Sequence, residues 1–546
     1  MNGQASTILV NAHVITLGRS RPRATAIAIR DGRVIAVGEE RDVLEYRSAR
    51  TEIADLGGRT VTPGLIDAHL HPGLGATRAI GVDFTGVTDQ ATALALLRTE
   101  ADRLAREGTD GWVRAQNLDY ELFRTLPMTA AAIEAAVRGM PALLFLFDGH
   151  TGLASREALA RSGIDGPRSF DDASRIVVDA LGAPTGELRG TTAIELVLAH
   201  APVQTTAQTI VRVRQILAEL SATGFTGGCI MDGNRESLDL LEQLDTSPGG
   251  LPLRLVTAVD HGAGDDEDKV RENLSLRDRR GARWRGGVVK LYADGVIDTG
   301  TGWLYEPDSD GAGLQSFWKD QAAFVRTIRR YNDEGFHIAT HAIGDHAISA
   351  TIDAYATAGS RLGPAAPHRI EHLECMADRD LSRMAAAGVT ASVQPLHMQW
   401  RKADGSDAWT TRLGPERAAR GWRVRDMIDH GILVALGSDW PVAQLDARIG
   451  MAWARLRRAP GRPDDVVFEP DQVLTALEAL KGFTSWAAEA QGDHDVGRIH
   501  PGFRADLAIW EANPLAVTAD ELPDVPVHAT LVDGRATHRS ADSHIA

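Results

Sequence analysis

Short apolar runs alternate with helical patterns through the middle of the chain, and this alternation limits the fold more than any other feature. Apolar residues keep helical spacing from Ile210 to Leu220 and from Phe324 to Tyr331, and a glycine follows each pattern. Such alternation is typical of βα units whose strands form a parallel sheet. The candidate strands are PALLFLFD, GFTGGCIM, LRLVTAV, GGVVKLYA, FHIATHA, HRIEHLE, VTASVQP and ILVALGS. An α/β barrel is therefore favoured over a sandwich for this region.

The two ends of the chain predict β structure of another kind. Asp31-Gly32 separates TAIAIR from RVIAVG, and Asp533-Gly534 separates HATLV from RATH. An Asp-Gly pair between two such runs indicates a β-hairpin. We expect residues 1–62 and 497–546 to form one small composite β-sandwich, and residues 63–496 to form a (β/α)8 TIM-like barrel. More than two hundred residues separate His71 from Lys290, so we also expect an inserted subdomain within about residues 75–200.

Composition restricts the class of partner. The 546 residues carry 58 basic and 74 acidic side chains, a formal net charge of −16, which repels nucleic acid and anionic lipid. We expect a small-molecule partner, no nucleic acid and no membrane. The first residues lack the pattern of a secretory signal, which favours a cytoplasmic location. Two cysteines, Cys229 and Cys375, are too few for a disulfide framework or a cysteine-based zinc cluster.

Polar residues stand at the ends of the apolar runs. They are His69 and His71 in GLIDAHLH, Lys290 in GGVVKLYADG, His341 after FHIAT, His372 after HRIE, and Asp439 after ILVALGS. In a barrel of this kind, catalytic groups lie at the carboxyl ends of the strands. His69 and His71 point to one side of an extended strand, roughly 7 Å apart, so their two imidazoles can share a cation. A single histidine, lysine or aspartate at such a position is more often structural. The six residues together, in this order along successive strands, favour a metal site.

This order, together with VTPGLIDAHLH, THAIGDHAI, RIEHLE, LGSDWPV and GRIHPGFRADLAIWEANPL, resembles the metal-dependent amidohydrolase superfamily. The similarity is greatest to the type 3 branch, which includes N-substituted formamide deformylases. The resemblance implies that His69, His71 and Asp439 bind one metal ion and that His341 and His372 bind a second. It also implies that Lys290 bridges the two ions as a carbamate. A charged lysine has no lone pair to offer a cation, and burial lowers the lysine pKa toward the neutral amine that carboxylation requires.

The expected cofactors are two Zn2+ ions per chain together with carboxylated Lys290. Imidazole and carboxylate ligands suit zinc, and manganese, cobalt or iron also fit them. The resemblance implies hydrolysis of a C–N bond, an amide, in a small molecule by a metal-bound hydroxide. Asp439 would take the proton of the attacking water and pass it to the leaving nitrogen, so Asp439 and Lys290 are the catalytic candidates. The resemblance further implies a homodimer or a larger assembly.

Other residues are candidates for binding the substrate or supporting the metal ligands. His150, Trp303, His397 and Trp440 follow apolar runs and could contact the substrate, whereas Asp294, Asp345 and Glu371 are interpreted as supporting or capping groups. After the lysine strand the sequence DGVIDTGTGWLYEP departs from the segment usual in this branch. The departure leaves the acyl and leaving groups open, so specificity for formamides does not follow from the resemblance.

Two other functions fit parts of the pattern. A mononuclear deaminase of the same superfamily would use the His-x-His pair, one further histidine and an aspartate, but it would not need a modified lysine. Lys290 therefore argues against it. A non-catalytic scaffold could retain the barrel after losing its metal ligands. The ligand set is complete in this sequence, which argues against a scaffold.

Overall fold

The computed structural model describes residues 3–18, 21–77, 80–108, 111–124, 126–147, 149, 151–170, 174–202, 204–361 and 367–543. His150 lies outside these residues. The chain forms two compact units. The first comprises Met1–His71, Arg214–Trp440 and Gln444–Ala546, and the second comprises Pro72–Val213 with Pro441–Ala443. No helix in the described part of the chain is long and apolar enough to cross a membrane.

The first unit contains a barrel of eight parallel strands. In chain order, barrel strands 1 to 8 are Leu65–Leu70, Phe225–Gly233, Arg254–Asp260, Trp284–Tyr292, His337–Ala342, Arg369–His372, Thr390–Val393 and Val434–Leu436, and neighbours in this order are paired. Strands 1 and 8 meet where Leu70 pairs with Trp440 in a parallel bridge. The His71 amide donates a hydrogen bond to the Trp440 carbonyl at 2.8 Å, and the Asp439 amide donates one to the His69 carbonyl at 2.8 Å. The predicted TIM-like barrel is confirmed.

Helices connect the barrel strands. The α-helices of this part of the chain are Thr206–Ala222, Arg235–Thr246, Glu267–Leu276, Gln321–Asp333, Asp345–Ala358, Asp378–Ala386, Ala408–Ala418, Val424–Asp429, Ala447–Leu456, Ala476–Gly482 and Ser485–Ala490. Both helical patterns recognised in the sequence are helices. Gly224 and Gly335, which follow them, have φ values of 97° and 78°, a region that favours glycine and ends a helix without strain.

Both chain ends build a β-sandwich, as predicted. One sheet contains Thr7–Val10, Ala26–Arg30, Arg33–Gly38 and Glu52–Asp55, and the other contains His13–Ile15, Arg23–Ala24, Thr60–Pro63, Leu507–Trp510, Val527–Val532 and Arg535–Arg539. Leu9 and Ile27 of the first sheet and Ile509 and Leu531 of the second are buried in one apolar cluster. Both Asp-Gly pairs form the predicted hairpin turns, with positive φ at both residues, which gives the twist that a two-residue hairpin needs.

The second unit holds a six-stranded mixed sheet. Its strands are Val82–Asp83, Val113–Leu118, Ala142–Leu146, Thr151–Ala154, Arg175–Val178 and Pro184–Arg189, and its α-helices are Pro72–Thr77, Gln90–Glu107, Ala130–Ile133, Arg156–Arg161 and Thr191–Leu198. The sequence PALLFLFD, residues 141–148, was interpreted as a strand of the barrel region. This is wrong, because its strand Ala142–Leu146 lies in the mixed sheet of the second unit. Leu144 packs in one apolar cluster and Leu143 in another, so both faces are buried. A strand covered on both faces has the same continuous apolar sequence as a barrel strand.

Candidate active site

The carboxyl ends of the barrel strands bring the predicted ligands together. His69 lies near the end of strand 1 and His71 directly follows it, Lys290 lies in strand 4, His341 in strand 5, His372 is the last residue of strand 6, and Asp439 follows strand 8. All six side chains are buried or nearly so. Because parallel strands present their carboxyl ends at the same edge, residues 370 positions apart in sequence become neighbours.

His69, His71 and Asp439 form a tight triangle of donor atoms. His69 Nε2 lies 3.2 Å from His71 Nε2 and 3.4 Å from Asp439 Oδ1, and His71 Nε2 lies 3.0 Å from the same oxygen. Donors bound to one tetrahedral zinc ion are about 3.3 Å apart, since each zinc to nitrogen bond is about 2.0 Å long. The three edges of the triangle therefore match the spacing of ligands around a single ion.

His372 and Asp439 adopt a backbone conformation that L-residues rarely adopt. Their φ values are 75° and 59°. Each such residue costs on the order of 1 to 3 kcal/mol and persists where surrounding contacts enforce it. Here the Asp439 amide is held by the His69 carbonyl, and His372 Nδ1 is brought to 3.8 Å from Asp439 Oδ2. The strained backbone thus turns both side chains toward the same point.

Glu371 orients the His69 ring by a contact with Nδ1, the nitrogen that faces away from His71 and Asp439. Glu371 Oε2 lies 2.6 Å from His69 Nδ1, and Glu371 Oε1 accepts a hydrogen bond from Arg369 Nε at 2.6 Å. Burial favours the neutral acid, but Arg369 and His69 outweigh it and hold the pKa of Glu371 well below its usual range. Burial and the charge of Lys290 lower the pKa of His69 to about 4. A neutral His69 that donates Nδ1–H to Glu371 keeps a lone pair on Nε2, which faces His71 and Asp439.

Lys290 is buried beneath these residues with 1% of its surface exposed. Burial is the main cause that lowers its pKa to about 8, against the opposing charges of Glu371 and Asp439. Its Nζ lies 5.4 Å from the centre of the Tyr292 ring and makes no hydrogen bond or ion pair with any residue that the structure describes. A buried amine with this pKa is partly neutral near pH 8, which is the form that can react with carbon dioxide.

His341 and Asp294 shape the side of the site near strand 5. His341 Nε2 lies 3.0 Å from the Gly295 carbonyl, to which it donates, and the His341 ring centre lies 4.4 Å from that of His372. Asp294 accepts hydrogen bonds from the amides of Ile343, Gly344 and Trp303 at 2.8 to 3.0 Å. Burial raises the pKa of Asp294 to about 7, despite these amide donors. Asp294 therefore ties the loops that follow strands 4 and 5 to one another.

Asp67 fixes strand 1 against strand 8. Its Oδ1 accepts hydrogen bonds from the amides of His69 at 3.0 Å and Ser438 at 2.9 Å, and its Oδ2 accepts one from Ser438 Oγ at 2.6 Å. Burial raises the pKa of Asp67 to about 6, although the Ser438 and His69 donors oppose this. One carboxylate thus sets the position of His69 relative to Asp439.

The candidate substrate residues occupy different environments. His397 lies in the 3-10 helix Pro395–Trp400 after strand 7, and its Nε2 is 3.3 Å from Asp439 Oδ2. Trp440 is partly buried and its carbonyl accepts from the His71 amide. Trp303 is 7% exposed and stacks on His346 with ring centres 4.0 Å apart, so its ring packs against the helix that follows strand 5.

The donor atoms fit a bound metal ion. One nitrogen each of His69 and His372 and one oxygen of Asp439 all lie within 4.8 Å of one another. The buried atoms that have no hydrogen-bond partner among the described residues include His372 Nδ1, His397 Nε2 and Asp439 Oδ1. Buried polar atoms without partners cost free energy, so several of them around one carboxylate indicate a place for a cation.

Three acidic residues around the ligands were not selected from the sequence. Asp232 is the second-to-last residue of strand 2, and its Oδ1 lies 3.8 Å from His71 Nδ1. The polar end of the apolar run GGCIMD signals this position. Asp67 lies inside GLIDAHLH, and Glu374 follows His372. Asp67 reaches Ser438 only where strands 1 and 8 meet, and Glu374 meets His397 and Trp409 only in the segment after strand 7. No local pattern marks either residue.

Comparison with known proteins agrees with this geometry. The amidohydrolase family model matches residues 52–538. N-substituted formamide deformylase of Arthrobacter pascens is 26% identical over 98% of this chain and 98% of that protein, and protein LONG AFTER FAR-RED 3 of Arabidopsis thaliana is 26% identical over 97% and 91%. The crystal structure of an uncharacterized metal-dependent hydrolase from Pyrococcus horikoshii OT3 has a TM-score of 0.74 at 24% identity and covers 94% of this chain and 99% of its own. The chain therefore belongs to the amidohydrolase family.

Proposed function

We propose that this protein hydrolyses a C–N bond, an amide, in a small molecule with two zinc ions held by its six predicted ligands. The triangle of His69, His71 and Asp439 donor atoms, with edges of 3.0 to 3.4 Å, is the observation that carries this proposal. His341, His372 and Lys290 lie in the neighbouring strands 4 to 6 and supply the donors for a second ion. Lys290 takes part after carboxylation, which turns a repelling cation into an oxygen ligand.

When bound, the two cations lower the pKa of water to about 7 and polarise the substrate carbonyl. The side chains of the protein supply the remaining steps. Asp439 accepts the proton of the attacking water and returns it to the leaving nitrogen, so that the amine departs neutral. Glu371 holds His69, and Asp67 holds strand 1 against strand 8, so that the ligands keep their positions during turnover.

An amide substrate agrees with one relative of the chain. The Arthrobacter pascens relative is named for removal of a formyl group from nitrogen. The loop after strand 4 is set by Asp294, which accepts from the Trp303 amide, and by the stack of Trp303 on His346. Because this loop departs in sequence from the usual segment of the branch, we propose an amide substrate without restricting the acyl group to formyl.

A hydrolysis screen tests the proposal. Zinc-loaded protein is incubated with N-formyl, N-acetyl, N-aryl and N-acyl amino acid amides, and with esters and lactones as a second set. We expect turnover of at least one amide, and we expect Asp439→Asn to retain the fold but lose that turnover. Turnover confined to esters or lactones, or an unchanged rate in Asp439→Asn, would contradict the proposal.

A mononuclear deaminase is a second candidate, supported by one observation. His69, His372 and Asp439 alone form a compact set that could bind a single ion. A single ion would leave Lys290 buried with no role in the site. One tightly bound metal per chain, release of ammonia and no response to bicarbonate would support the deaminase. Two metals and bicarbonate-dependent activity would support the amidase.

A further inference from the structure

His397 lies beside His372 and Asp439, although it follows strand 7 and they belong to the ends of strands 6 and 8. Its side chain is 7% exposed, and its ring stacks on that of His372 with centres 5.8 Å apart and planes 14° apart. His397 Nε2 lies 3.3 Å from Asp439 Oδ2 and has no hydrogen-bond partner among the described residues. A buried imidazole nitrogen that faces a carboxylate and lacks a partner indicates a site for a cation between them.

A second carboxylate fixes the other side of the ring. Glu374 Oε1 lies 3.4 Å from His397 Nδ1, and Glu374 Oε2 accepts a hydrogen bond from Trp409 Nε1 at 2.9 Å. When Nδ1 carries the hydrogen that Glu374 accepts, the lone pair of the neutral ring lies on Nε2. Glu371 on strand 6 faces Nδ1 of His69 on strand 1 in a similar way. A carboxylate behind the imidazole is the usual support of a histidine that binds metal.

The two carboxylate oxygens of Asp439 face different histidines. Its Oδ1 faces His69 and His71, at 3.4 and 3.0 Å, and its Oδ2 faces His397 and His372, at 3.3 and 3.8 Å. A spacing of 3.3 Å agrees with the distance of about 3.3 Å between two ligands of one tetrahedral zinc ion. Each oxygen of the carboxylate therefore faces its own pair of imidazoles.

We propose that His397 is a metal ligand, with its Nε2 and Asp439 Oδ2 binding the second ion beside His372. Glu374 is then a positioning residue, because it acts on the metal through His397. The inference rests on the proposed function, since it adds a ligand to the same centre. It also assigns to metal binding a residue that the sequence suggested only as a contact for the substrate.

Cobalt binding tests the assignment without measuring activity. Metal-free full-length protein is titrated with Co2+ by calorimetry and by visible absorption, for the parent, His397→Gln, Glu374→Gln and the exposed control His430→Gln. We expect Glu374→Gln to weaken one Co2+ equivalent by about 10- to 100-fold. We expect His397→Gln to weaken that equivalent further and to change the cobalt spectrum, while His430→Gln matches the parent. Circular dichroism of the metal-free variants verifies that they are folded, and Glu374→Gln supplies the test if His397→Gln is not.

The possible results separate the inference from the function on which it rests. Parental stoichiometry, affinity and spectrum in both site variants would overturn the assignment of His397, and an increase in KM alone would identify it as a substrate contact. The proposed function would still stand in that case. A parent protein that binds no Co2+ would contradict the function and the inference together, and this result is visible before any variant is made.

Discussion

Glu371 Oε2 and His69 Nδ1 lie 2.6 Å apart inside the barrel, where neither side chain is more than 1% exposed. The same carboxylate also pairs with Arg369, whose Nη2 donates to the carbonyl of Ala68, the residue before His69. The strand that carries His372 thus also controls the ring and the backbone around His69. One candidate ligand, His69, is therefore held in place by the strand that supplies another candidate ligand, His372.

Removal of the Glu371 charge should weaken metal binding. We expect Glu371→Gln to lower zinc affinity by about 10- to 100-fold, because the neutral amide is a weaker partner for His69 Nδ1–H. The change also leaves buried Arg369 without its partner, so the thermal midpoint should fall. Calorimetric zinc titration measures the affinity. Glu478→Gln is the matched control, since it removes the ion pair with Arg425 but lies outside the site. Equal affinities in Glu371→Gln and the parent would show that Glu371 does not support a ligand.

Lys290 should carry a carbamate when metal is bound. We expect protein prepared with 13C-bicarbonate and zinc to give a carbon-13 carbamate resonance that is absent in Lys290→Ala, because the buried amine, with its pKa near 8, is reactive. Metal titration of Lys290→Ala should show weaker binding of both ions. Lys319→Ala, at an exposed position, serves as the control. Binding of two ions by Lys290→Ala with parental affinity would mean that Lys290 does not bridge them.

Asp67 should stabilise the closure of the barrel. Asp67→Ala removes the acceptor for the amides of His69 and Ser438 and for Ser438 Oγ, and we expect it to lower the free energy of unfolding by about 3 kcal/mol. Asp67→Asn keeps the volume and one acceptor oxygen, so its loss should be smaller. Denaturant unfolding followed by circular dichroism measures both. If Asp67→Ala loses less free energy of unfolding than Asp67→Asn, Asp67 does not have this role.

His368 should make the stability of the barrel depend on pH. Its Nδ1 accepts from the Ile338 amide at 3.2 Å, its Nε2 lies 3.1 Å from Asn332 Oδ1, and burial lowers its pKa to about 4. Since the folded pKa lies below the unfolded value of about 6.5, its contribution is fully present above pH 6.5 and is lost as the pH falls toward 4. A pKa shift of this size corresponds to a contribution of about 3 kcal/mol to the free energy of unfolding.

The measurement for His368 is the thermal midpoint between pH 7 and pH 4. We expect the parent to lose more stability over this window than His368→Gln, whose amide does not titrate. His430→Gln, at an exposed histidine, should follow the parent curve. Parallel curves for the parent and His368→Gln would exclude His368 as a source of the pH dependence.

The sequence was sufficient for the barrel and the hairpins, because each depends on a local pattern, and the family resemblance indicated the six candidate ligands. Asp439 and His372 could be selected since polar residues end apolar strands. Glu374 and Asp67 could not, because Trp409 and Ser438, which donate hydrogen bonds to them, lie elsewhere in the sequence and become neighbours only when the chain folds. The strand Ala142–Leu146 was misplaced, since burial on both faces gives the same apolar run in either sheet.

The metal content of the purified protein tests the central claim most directly. Inductively coupled plasma mass spectrometry of the parent should give about two divalent ions per chain, with zinc predominant. A variant in which His69, His71 and Asp439 are all replaced should fall below one ion per chain while the sandwich and barrel remain folded. A parent that carries no metal, or a triple variant with the metal content of the parent, would contradict the account.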